Sequence, residues 1–447
     1  MKLFFCVLMC KILYILGKML GKGSSLPGKI ILRMFPDVLE QLKLPKTIIA
    51  VTGSNGKTTT AELIARALSA NGMKVGWNYE GSNQTEGVAT LLLRISSFSG
   101  NVKYDAIVME CDERYAKKIF EKVRPSALLV TNLCRDQLTR NGHPEFIEDC
   151  LRAAVDVVND DIKLVLNADD PYVSALATRS VIDRNGVVWF GISSDSAVSP
   201  NKGMYDDGAF CPLCKERMTY AYHIAGHYGS YKCTSCYLKR NSPKVEGTVH
   251  ENGYLEFNNG LKMKMALPSV TGAYNFCAAV AIAEVAGVSA SDAVNVLNEY
   301  KLTGGRTVAL NVGINRDGLL LVSKHENSFA YDRSLSWIVE QKRICSVIVV
   351  VDSISRKYYT SETSWLWDID FGLLVDDDDD IINIVLAGTY ANELAMRFAM
   401  TDIDQSKISY VADLKNLREH IKKNTMGKFY VLTCFADKAK VVKALEA

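Results

Sequence analysis

Two clusters of residues in this 447-residue sequence have the types and spacing to do chemistry. The first is Thr52-Gly53-Ser54-Asn55-Gly56-Lys57-Thr58-Thr59-Thr60. Its glycines let backbone N–H groups wrap an anion, Lys57 can reach β- and γ-phosphates, and the Thr58 hydroxyl can hold Mg²⁺. The general phosphate-loop pattern would place a glycine at position 51, which is Val51 here, so this is a shorter form of the loop. The second cluster is Cys211-x2-Cys214, eighteen residues, then Cys233-x2-Cys236. Two such knuckles present four thiolates that close a tetrahedron around Zn²⁺. With all four positions taken by sulfur, the site is structural rather than catalytic. His223 and His227 lie between the knuckles and could compete as ligands. Tyr220, Tyr222, Tyr228, Tyr231 and Tyr237 read as cover for a small core. The other eight cysteines (6, 10, 111, 134, 150, 277, 345 and 434) have no ligand spacing and read as small apolar residues.

The elements that must position the first cluster are a strand and a helix. Thr47–Val51 is a β-branched apolar run, and Ala61–Ala70 is helix-forming. Strand, glycine loop and helix place a helix N-terminus at the anion. Further along, Ile344–Val351, Ile381–Leu386 and Phe429–Leu432 read as strands and Tyr390–Ala399 as a helix, with a last helix after the last strand. That alternation predicts a second open α/β sheet. The acidic run Asp376–Asp380 reads as a solvated loop, because no calcium-loop spacing surrounds it.

Composition narrows the functional classes. Hydrophobic residues make up 48% and charged residues 23% of the chain, which excludes a disordered or low-complexity protein. The net charge of +2 offers no global basic field for nucleic acid. The total is uneven, however. Lys2, Lys11, Lys18, Lys22, Lys29 and Arg33 precede the first acid, Asp37, so the amino terminus carries +6 and the remainder −4. On a helix, Lys11, Lys18 and Lys22 fall within about 40° of one another. Leu13, Ile15, Leu16, Met19 and Leu20 take the other faces, and Gly21, Gly23 and a Leu26-Pro27-Gly28 turn end the helix. This amphipathic segment either packs on the protein or rests on an anionic membrane surface. Lys11 interrupts the apolar run too early for a membrane span, and no signal-peptide cleavage site follows. A nucleotide site and free thiols point to a reducing cytoplasm, with the inner membrane face as the place a resting helix would touch.

The glycine loop, together with a series of motifs downstream of it, resembles the Mur ligase family. Those motifs are Tyr104–Glu110, Leu128-Leu129-Val130-Thr131-Asn132, Asp136-Gln137-Leu138, Gly142-His143, Leu166-Asn167-Ala168-Asp169-Asp170-Pro171 and Gly272-Ala273-Tyr274-Asn275. The resemblance implies that Gly53, Ser54, Asn55, Gly56, Lys57, Thr58 and Thr59 bind ATP. It also implies that Glu110 joins Thr58 on Mg²⁺, Asn275 contacts the adenine, and Arg306 and Asn327 complete the nucleotide site. Within the family the chain is similar to the MurT branch, the synthetase subunits of lipid II isoglutaminyl synthase. The basic amino-terminal helix, Glu80-Gly81-Ser82-Asn83, the four-cysteine ribbon and Thr363-Ser364-Trp365-Leu366-Trp367-Asp368 carry that likeness. It implies a basic amino-terminal segment at 1–45 and an ATP-binding central domain at 46–305, with a zinc ribbon inserted at 206–242. A Rossmann-like carboxyl-terminal α/β domain would fill 306–447.

The activity so implied is amidation of the D-glutamate α-carboxylate of lipid II through an acyl phosphate, during peptidoglycan synthesis. Lys57 offsets the charge of phosphoryl transfer, and ammonia comes from a GatD-like glutaminase subunit. Asp368, with Asp370 as the rival, would orient the histidine of that partner's Cys-His pair. Other family members have a K-N-P-A-G-F-N-like stretch where this chain reads Glu326-Asn327-Ser328-Phe329-Ala330-Tyr331-Asp332, and only Asn327 is shared firmly. Two alternatives stand beside this reading: an autonomous ligase of the folylpolyglutamate-synthase kind acting on another carboxylate, or a zinc-ribbon scaffold with a relic nucleotide site.

Overall fold

The computed structural model describes residues 1–19, 24–158, 162–179, 186–196, 204–265, 269–298, 300, 307–313, 316–353, 363–375 and 380–446. The chain divides into two compact units. One comprises residues 1–134, 143–200 and 207–301; the other comprises 135–142, 201–206 and 302–447.

The first unit is built on a nine-stranded sheet. Its strands are β1 (Thr47–Thr52), β2 (Val75–Trp77), β3 (Ala106–Glu110), β4 (Ala127–Val130), β5 (Lys163–Asn167) and β6 (Val187–Ile192). After a separate two-stranded ribbon, β7 (Met218–Ala225) and β8 (Tyr228–Cys233), the sheet resumes with β9 (Val245–Val249), β10 (Tyr254–Phe257) and β11 (Lys262–Lys264). The order is β11-β10-β9-β6-β5-β4-β1-β3-β2. From β2 through β9 the pairs are parallel, and only β10 and β11 turn antiparallel at the edge. Strand β1 is flanked by β3 on one side and β4 on the other, which makes its carboxyl end a switch point where ligands bind. Val51 lies in register with Glu110 and Thr52 with Val130, so both neighbours end level with the glycine loop.

Apolar residues on both faces explain the burial of this sheet. Helix Val270–Val285 is apolar nearly all round and almost wholly buried, packed against helix Lys57–Ala70 and strands β5, β6 and β9. The amino terminus also belongs to this unit. Helix Lys2–Met19 packs on helices Leu26–Met34 and Thr85–Ile95. Gly21 and Gly23, expected to end the first helix, lie outside the described residues. The sequence reading of Leu26-Pro27-Gly28 as a turn is corrected: these residues form the first turn of the second helix. Proline is tolerated there because its missing N–H has no intrahelical partner to lose. Gly28 is needed for a close approach, since a Cβ would lie 2.0 Å from the carbonyl oxygen of Glu86.

Among the described residues the second unit has six strands: β12 (Thr307–Asn311), β13 (Asp317–Ser323), β14 (Cys345–Val350), β15 (Ile381–Ala387), β16 (Ile408–Val411) and β17 (Lys428–Cys434). Their order is β12-β13-β17-β14-β15-β16, parallel except for the β12–β13 pair. Val347, Val349 and Val351 enter one core while Ile348 and Val350 enter the other, so successive residues of β14 feed opposite faces. The last strand of the chain sits inside the sheet, between β13 and β14.

Candidate functional site

The phosphate loop occupies residues 53–56, and helix Lys57–Ala70 starts at the lysine itself. Gly56 is left-handed, with φ +84°, and a Cβ there would lie 2.2 Å from Asn275 Oδ1. Glycine is therefore required twice over, by backbone conformation and by space. The loop is braced from the end of β4. Asn132 Oδ1 accepts from the Asn55 N–H at 3.0 Å, and Thr131 Oγ1 donates to the Asn55 carbonyl at 2.7 Å. Ser54 Oγ donates to the Cys134 carbonyl at 3.3 Å, and the Cys134 N–H donates back to it at 3.0 Å. These bonds fix the loop before any anion arrives. Thr59 follows in the first turn of the helix, part-buried.

Two carboxylates close the site, one at the end of β3 and one just after it. Glu110 Oε2 accepts from Thr58 Oγ1 at 2.8 Å, so the two groups assigned to Mg²⁺ are in contact. Its other oxygen accepts from Asn83 Nδ2 at 2.9 Å. Asn78 clamps the Glu110 backbone, accepting from its N–H at 2.8 Å and donating to its carbonyl at 2.9 Å. The second carboxylate, Glu113, is one that sequence reasoning passed over. It lies 2.6 Å from Lys57 Nζ, and the lysine also donates to the Gly53 carbonyl. Both partners are buried. The available signal was the run Glu110-Cys111-Asp112-Glu113, four residues that cluster three acids directly after a buried strand. Asn275 is buried beside the loop, where its Oδ1 accepts from Thr60 Oγ1 at 3.3 Å.

The four ribbon cysteines converge. Their sulfurs all lie within 4.8 Å of one another, with Cys211–Cys236 at 3.6 Å and Cys214–Cys233 at 3.4 Å. Thiolates around a tetrahedral Zn²⁺ stand about 3.8 Å apart, so the donor set fits such an ion. The N–H groups of Ser235 and Cys236 point at Cys233 Sγ from 3.4 and 3.3 Å, the polarity a thiolate would attract. Neither histidine joins the cluster. His223 bonds the Gly226 carbonyl and stacks on Tyr220, while His227 bonds the Leu133 carbonyl. Arg240, four residues after the last ribbon cysteine, anchors the insert. It donates to the wholly buried Asp169 at 2.6 Å and to Glu246 at 2.8 Å. Tyr228 and Tyr231 are buried as core cover, Tyr231 donating to the Ala168 carbonyl, whereas Tyr237 is exposed and does not cover the core.

In the second unit, Asp368 ends a short 3-10 turn, Ser364–Asp368, 3.9 Å from Arg135. Burial, and then the charge of Asp368, hold the Tyr205 phenol above its ordinary pKa, so the phenol stays a donor beside that carboxylate. Trp365 is buried, whereas Trp367 is exposed. Asp370 points its N–H at buried Asp332 instead, 2.8 Å from Oδ1. Asn327 is fully buried. It caps helix Ser328–Glu340 through the Ala330 N–H at 2.8 Å and donates to Asp136 at 2.9 Å. Lys324 pairs with the other oxygen of Asp136. Arg306 and most of the acidic run, 376–379, lie outside the described residues.

The Mur ligase middle domain matches residues 51–231, and the MurT ligase C-terminal domain matches residues 325–437. The chain is similar to the MurT branch of the Mur ligase family. The lipid II isoglutaminyl synthase (glutamine-hydrolyzing) subunit MurT of Staphylococcus aureus strain N315 is 28% identical over 86% of this chain and 84% of its own. The subunit of the same name from Streptococcus pneumoniae R6 is 27% identical over 93% and 91%. Among solved structures, a pseudomurein peptide ligase type C from Methanothermus fervidus superposes with a TM-score of 0.72 at 19% identity, over 92% of this chain and 80% of that one. MurF from Acinetobacter baumannii gives 0.65 at 15% identity, over 94% and 81%. At these identities the superpositions establish the Mur ligase fold of parallel-sheet α/β domains. As a MurT-like Mur ligase, the chain is an ATP-dependent ligase, and Mur ligases use ATP with Mg²⁺.

Proposed function

We propose that this chain is the ATP-using subunit of a two-subunit amidotransferase that converts the D-glutamate α-carboxylate of lipid II to D-isoglutamine. One observation carries the reading. A braced phosphate loop with a Thr58–Glu110 metal pair occurs in the same chain as a MurT-type carboxyl-terminal region. The names of the two MurT relatives support the substrate and the glutamine dependence.

A carboxylate resists attack by ammonia at neutral pH because no good leaving group is present. Transfer of the γ-phosphoryl group to one carboxylate oxygen gives an acyl phosphate and ADP. The ammonia lone pair then attacks the carbonyl carbon, phosphate departs with the bonding pair, and the amide nitrogen loses a proton. Mg²⁺ held by Thr58 and Glu110 would neutralise charge on the transferring group. The N–H groups of Gly56 to Thr59 cradle the phosphates at the helix N-terminus, and Lys57, released from Glu113, offsets charge developed in transfer. Asn78 and Asn83 hold Glu110 in place. Asn275 stands beside the loop for the nucleotide, and Arg306 and Asn327 remain assigned to the same site. Ammonia is mostly ammonium at pH 7, which favours a GatD-like glutaminase as a local source. Asp368, with Trp367 exposed next to it, is the group assigned to that partner's histidine. The domains run 1–45, 46–305 and 306–447. The ribbon at 206–242 carries structural Zn²⁺ on Cys211, Cys214, Cys233 and Cys236.

Purified chain incubated with ATP, glutamine and lipid II should yield amidated lipid II only when a glutaminase subunit is added, as read by mass spectrometry. Full amidation by the chain alone with glutamine would end the two-subunit reading. Attachment of an amino acid in place of ammonia would point to an autonomous ligase.

A further inference from the structure

We propose that helix Lys2–Met19 seats this protein on the surface of an anionic phospholipid bilayer. The helix is apolar on two opposite sides. Cys6, Val7, Cys10 and Gly17 are buried against its own unit. At about 100° per residue, Phe5, Ile12, Ile15, Leu16 and Met19 fall within about 100° of one another and roughly opposite that buried side. These five are 48% to 80% exposed. Phe4 widens the patch, with its ring 5.1 Å from that of exposed Phe98. A helix apolar on two opposite sides calls for cover on both, and an exposed patch of this kind marks an interaction surface.

Charge selects the occupant. Lys11 and Lys18 line one flank of the exposed side and Lys2 the other, with no acid anywhere in residues 1–36. Lys11 Nζ lies 5.1 Å from the Phe98 ring and Lys2 Nζ 5.2 Å from the Phe35 ring, so the apolar stems lie along aromatic surface while the ammonium groups remain at the edge. Apolar side chains in the middle with lysines at the rim match acyl chains below and anionic headgroups around. Among the described residues no helix is long and apolar enough to cross a membrane, so this helix lies on the surface rather than spanning.

The seat is also tied to the phosphate site. Tyr14, on the same helix, donates to Glu80 Oε1 at 2.7 Å and accepts from Arg94 at 2.8 Å. Glu80 sits between Asn78 and Asn83, the two residues that hold Glu110. Two side-chain links thus join the lipid-facing helix to the metal carboxylate. The inference does not depend on lipid II as acceptor, because plain phospholipid suffices to test it.

Full-length protein should co-sediment with phosphatidylcholine/phosphatidylglycerol vesicles, less in high salt, and weakly with phosphatidylcholine alone. Ile12→Gln/Leu16→Gln should lower the bound fraction at least roughly tenfold, because apolar burial in the interface is lost. Its melting curve should match wild type, since both side chains are exposed. Lys11→Gln/Lys18→Gln should lose most of the preference for anionic vesicles. Absence of sedimentation with anionic vesicles, or wild-type sedimentation of the Ile12/Leu16 variant, would overturn the proposal. So would a wild-type dimer in sedimentation velocity that the variant abolishes, because a second copy would then cover the face. Amidation of lipid II in detergent by the Ile12/Leu16 variant reports separately on the catalytic reading.

Discussion

Lys57 and Glu113 form a buried ion pair, and breaking it separates the folding role of the lysine from its role in turnover. Their side chains are 7% and 2% exposed and 2.6 Å apart. At an effective dielectric constant of about 20, that separation gives about 6 kcal/mol of gross attraction. Desolvation of both ions consumes most of this, but removing one partner strands the other. Lys57→Met should therefore cost about 3–5 kcal/mol of local stability, the charge of Glu113 being left uncompensated. Glu113→Gln should cost less, because Lys57 keeps the Gly53 carbonyl and the more distant Ser54 carbonyl, 3.5 Å away. The double variant should then be more stable than the sum of the two losses predicts, by about 2 kcal/mol. Hydrogen exchange of peptides covering residues 47–70 reads this stability directly. ATP turnover should behave differently. It should fall by about 10²–10³ in Lys57→Met and stay low in the double variant, because the phosphate-facing cation is absent from both. If the two stability costs add to within about 0.5 kcal/mol, the pair is not coupled and the electrostatic reasoning fails. If Lys57→Met keeps wild-type turnover, the loop is not the phosphate site.

Four other outcomes can be checked. Glu110→Gln should raise the Mg²⁺ concentration needed for half-maximal turnover with little change in melting, since the Gln carbonyl oxygen can still accept from Asn83 while its amide group donates to the Thr58 hydroxyl; an unchanged Mg²⁺ requirement would remove Glu110 from the metal. Elemental analysis should find about one zinc per chain, lost in Cys211→Ser/Cys236→Ser together with protease resistance of residues 206–242; full zinc in that variant would place the metal elsewhere. Burial pushes the Asp332 carboxyl up from 3.8 to about 7. The folded state therefore holds a proton that the unfolded chain releases, and stability falls as pH rises from about 4 to 7. Asp332→Asn should be more stable than wild type at pH 8, by about 4 kcal/mol at most, with the advantage shrinking toward pH 4; a pH-independent difference would refute the shift. Asp368→Asn should lower glutamine-driven amidation while sparing amidation driven by added ammonium salts; equal loss with both nitrogen sources would assign Asp368 to the synthetase reaction.

The glycine loop and the cysteine ribbon were legible because each is a short local pattern whose chemistry is fixed by residue type and spacing. Strand β1, the helix after the loop and three of the six strands of the second sheet, β14, β15 and β17, were legible for the same reason, through short β-branched runs bounded by turn residues. Leu26-Pro27-Gly28 misled, since Pro and Gly in sequence signal a turn. Only the close approach of residue 28 to Glu86 shows why glycine opens a helix there. Glu113 was missed because its partner, Lys57, lies 56 residues away in sequence, and the pairing exists only once β1 and β3 stand in register. The bracing of the loop by Thr131 and Asn132 is equally non-local.

The sequence by itself determined the chemistry on offer: a phosphate loop with its lysine and threonine, an acid-ended strand, four thiolates in ribbon spacing, and a basic, apolar amino terminus. These depend on side-chain type and near-neighbour spacing, which a chain carries whether or not it is folded. Tertiary structure decided which of those groups meet. Strand order set β3 and β4 on either side of β1, so that Glu110, Glu113, Thr131 and Asn132 reach one loop. It placed the last strand of the chain inside the second sheet. It also decided which side of helix Lys2–Met19 is spent on the protein's own core and which apolar side remains exposed. Periodicity shows that a helix has faces, but only packing against a particular neighbour selects the face that is buried.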